Sequence, residues 1–250
     1  MPPRVDFTSQ RLFIPTPMQA GLEIILDRTQ TNYLINVLRM KEGTSLLVFN
    51  GKDGEWRASI TNPHKKQATI SLIEQTRQQT HPTNIWLCFA PLKTARLDYT
   101  VQKAVEMGAS RIIPMLTHRT QVSRLKMDRI RANIIEAAEQ CGILTIPDVD
   151  EEIKLPKLLD SLTADRAVVF CDEAAETADP MAALSNLKKH SAVALFIGPE
   201  GGFDRDERQL ICARQSTVVI ALGPRILRAD TASVAALTII QLAVGDWYEA

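Results

Sequence analysis

The chain has 250 residues, and its 29 basic and 29 acidic side chains leave a formal net charge of zero. No run approaches the roughly 18 apolar residues of a membrane-spanning helix, and the N-terminal stretch lacks the apolar core of a signal peptide. The four cysteines, Cys88, Cys141, Cys171 and Cys212, are too widely spaced for a zinc knuckle or a redox pair. We therefore expect reduced thiols, no metal and a cytoplasmic protein.

Residues 1–75 predict a small β-rich domain. Short apolar runs at 22–26, 45–49 and 68–73 are separated by turn signals such as Asn50-Gly51. Several short strands with such turns are typical of a small β-barrel. Residues 27–40 interrupt the strands with apolar side chains at helical spacing. The polar residues 76–83 are interpreted as a linker.

Residues 84–250 predict an α/β domain. The expected strands are 84–90, 111–116 and 167–171, and the expected helices are 94–107, 127–140 and 180–189. Strands that alternate with helices favour a parallel sheet.

Two strand-to-helix junctions of similar design follow. The apolar run 193–197 leads into Gly198–Phe203, where Asp204 and Glu207 have capping-box spacing. The apolar run 217–222 leads into a second glycine turn, 223–228, and then into an apolar helix that ends near Val244. Glycine turns at the carboxyl ends of buried strands are typical ligand sites of open α/β sheets.

The first glycine turn indicates the charge of its ligand. Gly198-x-x-Gly201-Gly202 matches neither the dinucleotide fingerprint nor the phosphate loop, and Glu200 lies in its middle. A carboxylate among the amides disfavours phosphate and favours a neutral or cationic ligand, such as a nucleoside or a sulfonium. The alternative is a turn that only connects a strand to a helix, with Glu200 accepting hydrogen bonds from its own backbone.

Charge is unevenly distributed along the chain. Between Lys93 and Arg131 there are nine basic and three acidic side chains, whereas residues 148–179 hold ten acidic and three basic ones. A basic segment of this kind is typical of a polyanion-binding surface. A solvated helix face with its counter-charges nearby is the alternative.

Several motifs in order resemble one known family. They are Phe196-Ile-Gly-Pro-Glu-Gly-Gly-Phe203, Leu222-Gly-Pro-Arg-Ile-Leu-Arg-Ala-Asp-Thr-Ala232, Gln102–Gly108, Glu136–Gly142 and Val37-Leu-Arg-Met40. Together they resemble the ribosomal RNA small subunit methyltransferase E family of the SPOUT superfamily, over nearly the whole chain.

The resemblance implies a fold and a reaction. It implies a PUA-like RNA-binding domain at 1–75, and at 84–250 a SPOUT parallel-sheet domain whose C-terminal helix is threaded as a trefoil knot. It also implies a homodimer, S-adenosylmethionine as methyl donor, and N3 of a uridine in 16S ribosomal RNA of the 30S subunit as acceptor. The alternatives are a SPOUT enzyme acting elsewhere on RNA, such as a ribose 2′-hydroxyl, and a non-catalytic RNA-binding assembly factor.

Site residues follow from the matched motifs. We expect cofactor contacts from Thr117, Phe196, Ile197, Gly198, Gly201, Gly202, Leu222, Gly223, Ile226, Leu227 and Thr231. Catalytic roles are expected for Glu200 as proton acceptor and for Arg225 and Arg228 as stabilisers of charge on the uracil carbonyls. RNA contacts are expected from Arg11, Arg39, Lys93, Arg119 and Arg124.

Two positions depart from the family pattern, and one helix has an unusual composition. Tyr33 stands where the family often has histidine, and Asp230 stands where it usually has glutamate, so Asp230 is interpreted as a helix cap. Small and aliphatic residues surround the last helix on almost every side. This pattern predicts burial on several faces, either against a second subunit or at the centre of a monomer.

Overall fold

The computed structural model describes residues 6–121, 124–175, 179–188 and 191–247. The chain divides into two units. The first contains the residues up to His81 together with Ala138–Ile146, and the second contains Pro82–Ala137 and the residues from Pro147 onward. Each unit builds its own hydrophobic core.

The first unit is a five-stranded curled sheet. Its strands are β1 (Arg11–Phe13), β2 (Glu23–Ile25), β3 (Ser45–Phe49), β4 (Glu55–Asn62) and β5 (Thr69–Arg77). They lie in the order β1-β3-β4-β5-β2, with β1 parallel to β3 and the other pairs antiparallel. The β-rich prediction is confirmed, although β1 and β4 were not anticipated, because one is short and the other is largely polar.

A short helix and a π-helix interrupt the strands where helical spacing was predicted. Helix α1 (Arg28–Thr31) begins with a capping box between Asp27 and Gln30, and a π-helical segment covers Asn32–Val37. The amide of Leu38 donates to the carbonyl of Tyr33 at 2.9 Å, which closes the wide turn. Arg39 then adopts the left-handed region at φ 56°. Such strained residues occur often at functional sites.

A buried ion cluster changes the predicted boundary of the first unit. Glu55 is 1% exposed and pairs with Arg11 at 2.7 Å and with Arg77 at 3.0 Å. Burial raises the pKa of Glu55, but hydrogen bonds and charge from Arg77 and Arg11 outweigh it and lower that pKa overall. Because Arg77 belongs to β5, residues 76 and 77 of the predicted linker are part of this strand.

The segment 138–146 also belongs to the first unit, although it was predicted within the α/β domain. Arg77 donates to the carbonyl of Gly142 at 2.7 Å, and Arg11 donates to the carbonyl of Glu139 at 3.4 Å. These bonds join residues far apart in sequence, so local patterns did not reveal them.

The second unit has a parallel sheet. Its strands are β6 (Ile85–Phe89), β7 (Arg111–Leu116), β8 (Asp148–Val149), β9 (Ile153–Lys154), β10 (Ala167–Cys171), β11 (Val193–Ile197) and β12 (Thr217–Ile220). The order is β12-β10-β11-β6-β7-β8, and β9 also pairs with β7. All of these pairs are parallel, which confirms the predicted α/β class.

Six helices lie wholly or partly in the second unit, in the described part of the chain. They are α2 (Thr94–Glu106), α3 (Met127–Cys141), α4 (Leu155–Ser161), α5 (Pro180–Leu184), α6 (Arg205–Cys212) and α7 (Ala229–Val244). Helix α4 was not predicted, and α5 is shorter than the predicted 180–189. No helix within the described ranges is long and apolar enough to cross a membrane. The trefoil knot implied by the resemblance stays a prediction.

One face of helix α7 is buried against other elements of the second unit. Ser233, Ala236, Leu237, Ile240 and Gln241 are almost fully buried. The opposite face is half-buried and apolar, and Leu242 is exposed. This arrangement differs from a helix at the centre of a monomer. Asp230 was predicted as the cap, but it lies inside the first turn, and Arg228 occupies the N-cap position.

Candidate functional site

Three loops meet at one edge of the parallel sheet. Because β12, β10 and β11 are neighbours and parallel, the residues that follow their carboxyl ends are brought together. They enclose a pocket of about 290 Å³, close to the lower end of the roughly 300–1,000 Å³ range of small-molecule sites. The pocket is lined by Cys171–Glu173, Ile197–Gly202, Leu222–Leu227, Ala229 and Ala232.

Two lining glycines have backbone conformations that other residues rarely adopt. Gly202 has φ 68° and Gly223 has φ 94°, both in the left-handed region. At Gly202 an added Cβ would also meet the carboxylate of Glu173. The glycine content of these turns therefore permits a close approach between the backbone and a ligand.

Acidic side chains predominate around the pocket. Asp172, Glu173 and Glu200 line it, whereas Arg225 is the basic side chain among its described lining residues. Asp172 is 6% exposed and pairs with Arg208 at 2.6 Å, so its charge is already compensated. Glu200 is compensated in the same way by Arg96, which leaves Glu173 and Arg225 as one lining carboxylate and one lining guanidinium.

The catalytic candidates differ in their surroundings. The carboxylate of Glu200 forms an ion pair with Arg96 of α2. Arg225 and Arg228 are both exposed, and Arg225 lines the pocket while Arg228 precedes α7. The structure therefore brings Glu200 and Arg225 to the same pocket, and it adds Arg96 as a partner that no motif indicated.

A second, smaller cavity shares a wall with this pocket. It measures about 30 Å³ and is lined on one side by Pro199, Glu200 and Gly201. Its other walls come from the loops that follow β6 and β7, namely Pro91–Lys93, Arg119 and Gln121. Since β6 is the next strand beyond β11, the segment 199–201 separates the two cavities.

The helix after the first glycine turn is anchored through its cap. Asp204 and Glu207 form the capping box predicted from their spacing. Glu207 is buried and also accepts a hydrogen bond from the amide of His118 at 2.7 Å. His118 Nδ1 contacts Asp204 Oδ2, and this hydrogen bond and the charge of Asp204 raise the pKa of His118.

His118, Asp204 and Glu207 also have the side-chain types that bind metal ions. One ligand-type atom from each of His118, Asp204 and Glu207 lies within 4.8 Å of the others. However, the two carboxylates already accept backbone amides of the cap, at 2.8 Å for Asp204 and 3.0 Å for Glu207. The geometry is therefore that of an extended helix cap.

The structure sorts the predicted cofactor residues into two groups. Ile197, Gly198, Gly201, Gly202, Leu222, Gly223, Ile226 and Leu227 line the pocket. The remaining three lie elsewhere. Thr117 forms a turn with Thr120 at 2.9 Å, Phe196 is buried within β11, and Thr231 is exposed on α7.

Other lining residues were missed. Cys171 ends β10, and Asp172 and Glu173 follow it; β10 lies between β11 and β12 in the sheet, although it precedes both in the chain. The acidic residues that follow an apolar run are the available signal in the sequence.

The residues predicted to contact RNA differ in their exposure. Arg39, Lys93, Arg119 and Arg124 are exposed. Arg11 is 4% exposed and is held by Glu55, so its charge supports the first unit rather than a ligand. Arg119 donates to the carbonyl of Gly201 at 2.5 Å, which places it against the glycine turn.

Comparisons with known proteins agree with this arrangement. Residues 79–241 match a family model described as an RNA methyltransferase domain, and residues 26–73 match one described as an RNA methyltransferase PUA domain. The fold and the pocket therefore define an RNA methyltransferase. Ribosomal RNA small subunit methyltransferase E of Rickettsia conorii is 30% identical over 211 residues, which cover 84% of this chain and 86% of that protein. The chain belongs to the ribosomal RNA small subunit methyltransferase E family.

Two solved structures are similar over nearly their whole length. The family member from Neisseria gonorrhoeae, described as bound to S-adenosyl methionine, has a TM-score of 0.86 and 28% identity. The match covers 96% of this chain and 99% of that one. A methyltransferase from Legionella pneumophila, described in complex with the cofactor SAM, has a TM-score of 0.84 and 30% identity, with coverage of 94% and 98%.

Proposed function

We propose that this protein transfers a methyl group from S-adenosylmethionine to N3 of a uridine in 16S ribosomal RNA. The observation that carries the proposal is the pocket at the carboxyl ends of β10, β11 and β12, where two glycine turns meet the carboxylate of Glu173. A sulfonium ligand is cationic and fits a carboxylate at this place. The names of the relatives from Rickettsia conorii and Neisseria gonorrhoeae support the ribosomal RNA substrate.

The pocket residues fit the donor. The glycine turns let the backbone of Gly198, Gly202 and Gly223 approach the adenosine part, and Ile197 and Leu222 supply apolar walls. Glu173 is close to Gly202 and offers a carboxylate to the positive part of the donor.

S-adenosylmethionine would supply a methyl carbon that is bound to a positively charged sulfur. As uridine N3 forms a bond to that carbon, the carbon–sulfur bond breaks and its electron pair stays on sulfur. The chain has to align these atoms and to take up the N3 proton. Glu200 lies in the wall between the two cavities and is the proposed proton acceptor. Arg225, with Arg228 nearby in sequence, would stabilise the charge that develops on the uracil carbonyls.

Exposed basic residues are available to the RNA. N3 is on the pairing edge of uridine, so the base must be unpaired when it reacts. Lys93 and Arg119 line the second cavity, and Arg124 is exposed further along the same connection. In the first unit, Arg39 is exposed at the end of the π-helix and is the proposed contact of the PUA-like domain.

We also propose a homodimer in the cytoplasm. The half-buried apolar face of α7 supports the dimer, because Val234, Ile239 and Leu242 remain accessible in one chain. The cytoplasmic location follows from the proposed substrate, the small ribosomal subunit.

A labelled-methyl transfer assay on unmodified 30S particles, followed by nucleotide analysis, tests the proposal. We expect one labelled 3-methyluridine in 16S RNA with the full-length protein. Glu200→Gln should lower the single-turnover rate by roughly a hundredfold or more, while the donor Kd from titration calorimetry stays within about twofold.

The alternatives predict different results. Label on a ribose 2′-hydroxyl would assign the enzyme to another RNA position. An assembly factor without catalysis would transfer no label and would bind no donor in the calorimeter, and either result would overturn the proposal.

A further inference from the structure

The wall between the two cavities contains an ion pair that the proposed mechanism does not use. Glu200 lines both the larger pocket and the smaller cavity, and its carboxylate contacts the guanidinium of Arg96. Arg96 belongs to no motif used to identify the site. The ion pair with Arg96 restricts the positions that the Glu200 carboxylate can occupy.

Arg96 lies in the first turn of α2. Its backbone amide donates to the carbonyl of Lys93 at 3.0 Å in the first turn of α2. The next residues of the same helix, Leu97 and Thr100, are buried. Arg96 is therefore carried by a helix with buried residues, whereas its partner lies on the glycine turn.

Glu200 lies on a glycine-rich turn. It lies between Gly198 and the two glycines 201 and 202, and half of its side chain is exposed. Glycine-rich backbone is flexible, and a free glutamate side chain would populate several rotamers. An ion pair with a guanidinium restricts those rotamers and leaves lone pairs on the carboxylate oxygens that can still receive a proton.

We propose that Arg96 is a positioning residue that holds the carboxylate of Glu200 at the boundary between the two cavities, where it faces the base to be methylated. The inference rests on the proposed function. The smaller cavity then marks the side of Glu200 that faces the RNA, and its described lining carries Lys93 and Arg119. Arg96 acts through Glu200 and does not itself contact the donor.

Single-turnover methylation of unmodified 30S particles by the full-length protein tests the inference. We expect Arg96→Gln to lower the rate roughly tenfold to a hundredfold and to displace its pH profile, with the donor Kd unchanged within about twofold. Arg96→Lys, which keeps the charge, should restore part of the rate. The matched control is Arg57→Gln, because Arg57 is also 36% exposed and pairs with an exposed acid, Glu74.

A double-mutant cycle with Glu200→Gln separates positioning from an independent role. If Arg96 acts through Glu200, adding Arg96→Gln to Glu200→Gln should change the rate by less than about twofold. Additive losses would overturn the inference. So would an Arg96→Gln variant with a normal pH profile that only binds 30S more weakly, with a salt slope reduced by about one, because that result identifies a phosphate contact.

Failure of the inference and failure of the proposed function give different results. A wild-type protein that forms no 3-methyluridine would remove the proposed function and this inference with it. A wild-type protein that forms it at the same rate as the Arg96→Gln variant would remove the inference alone.

Discussion

The backbone amide of His118 donates a hydrogen bond to the Glu207 carboxylate at 2.7 Å, although 89 residues separate the two in sequence. The bond joins the loop after β7 to the first turn of α6, and α6 begins directly after the glycine turn of the pocket. One buried carboxylate therefore serves a local cap and a tertiary contact together. The stability of the turn consequently depends on residues outside it.

Glu207→Ala should destabilise the protein by about 2 kcal/mol, because two backbone amides lose their acceptor. Urea denaturation followed by circular dichroism measures this loss. Asp206→Ala is the matched control, since it removes an exposed acid from the same helical turn and should cost only about 0.5 kcal/mol. Equal midpoints for the two variants would show that neither of these hydrogen bonds contributes to stability.

The contact between His118 and Asp204 should make stability depend on pH. The hydrogen bond and charge of Asp204 raise the pKa of His118 above its ordinary value of 6.5, and Glu207 and Asp206 add to this effect. A raised histidine pKa contributes stability that is complete below pH 6.5 and is lost as the pH rises through the folded-state value. The acidic limit is set by Asp204, whose pKa is lowered by the amide of Glu207 and by His118.

Thermal melts from pH 5.5 to pH 8.5 check this expectation. The Tm difference between the wild type and His118→Gln should be largest at the acidic end and should shrink as the pH increases. In an Asp204→Asn background the difference should depend less strongly on pH, because only the charges of Glu207 and Asp206 would still raise the pKa of His118. A difference that grows with pH would contradict the assigned sign.

Gly202→Ala should weaken donor binding more than Gly223→Ala. Both changes place alanine in the left-handed region at a cost of about 1–2 kcal/mol, but only at Gly202 would the new Cβ meet a side chain, the carboxylate of Glu173. Titration calorimetry should show a loss of roughly tenfold or more in affinity for Gly202→Ala. Gly21→Ala is the control, because it has φ 77° and open space around it in the first unit. It should lower stability without changing the donor Kd.

Glu55→Gln should destabilise the first unit by about 3–5 kcal/mol, because the buried charge of Arg11 would lose its partner. Urea denaturation monitored by the fluorescence of Trp56, which packs against the core of this unit, measures the change. Glu74→Gln, at an exposed ion pair with Arg57, should stay within about 0.5 kcal/mol of the wild type. Similar losses in both variants would exclude a special role for the buried cluster.

Elements with a strong local pattern were predicted well. The strand Val193–Ile197 is buried at every residue, and the capping box of Asp204 and Glu207 is present at the predicted spacing. Strands β8 and β9 have two residues each, which is too short for any periodicity to appear. Helix α4 has seven residues and starts beside Pro156, so its pattern was equally weak.

The candidate site was predicted only in part for a similar reason. Both glycine turns could be identified, because their residues are contiguous in sequence. The acidic loop Cys171–Glu173 lies in the pocket because β10 pairs with both β11 and β12. No local pattern encodes which strands become neighbours, since that choice depends on packing over the whole sheet.

The amino-acid sequence alone determined the alternation of strands and helices, the two glycine turns and the charge of the residue between them, because each depends on neighbours along the chain. The tertiary structure alone decided that Arg96 meets Glu200, that His118 meets Glu207 and that Arg11 is buried against Glu55. Arginine and glutamate are equally suited to solvent and to an ion pair, so their partners are set by the long-range packing that brings distant segments together.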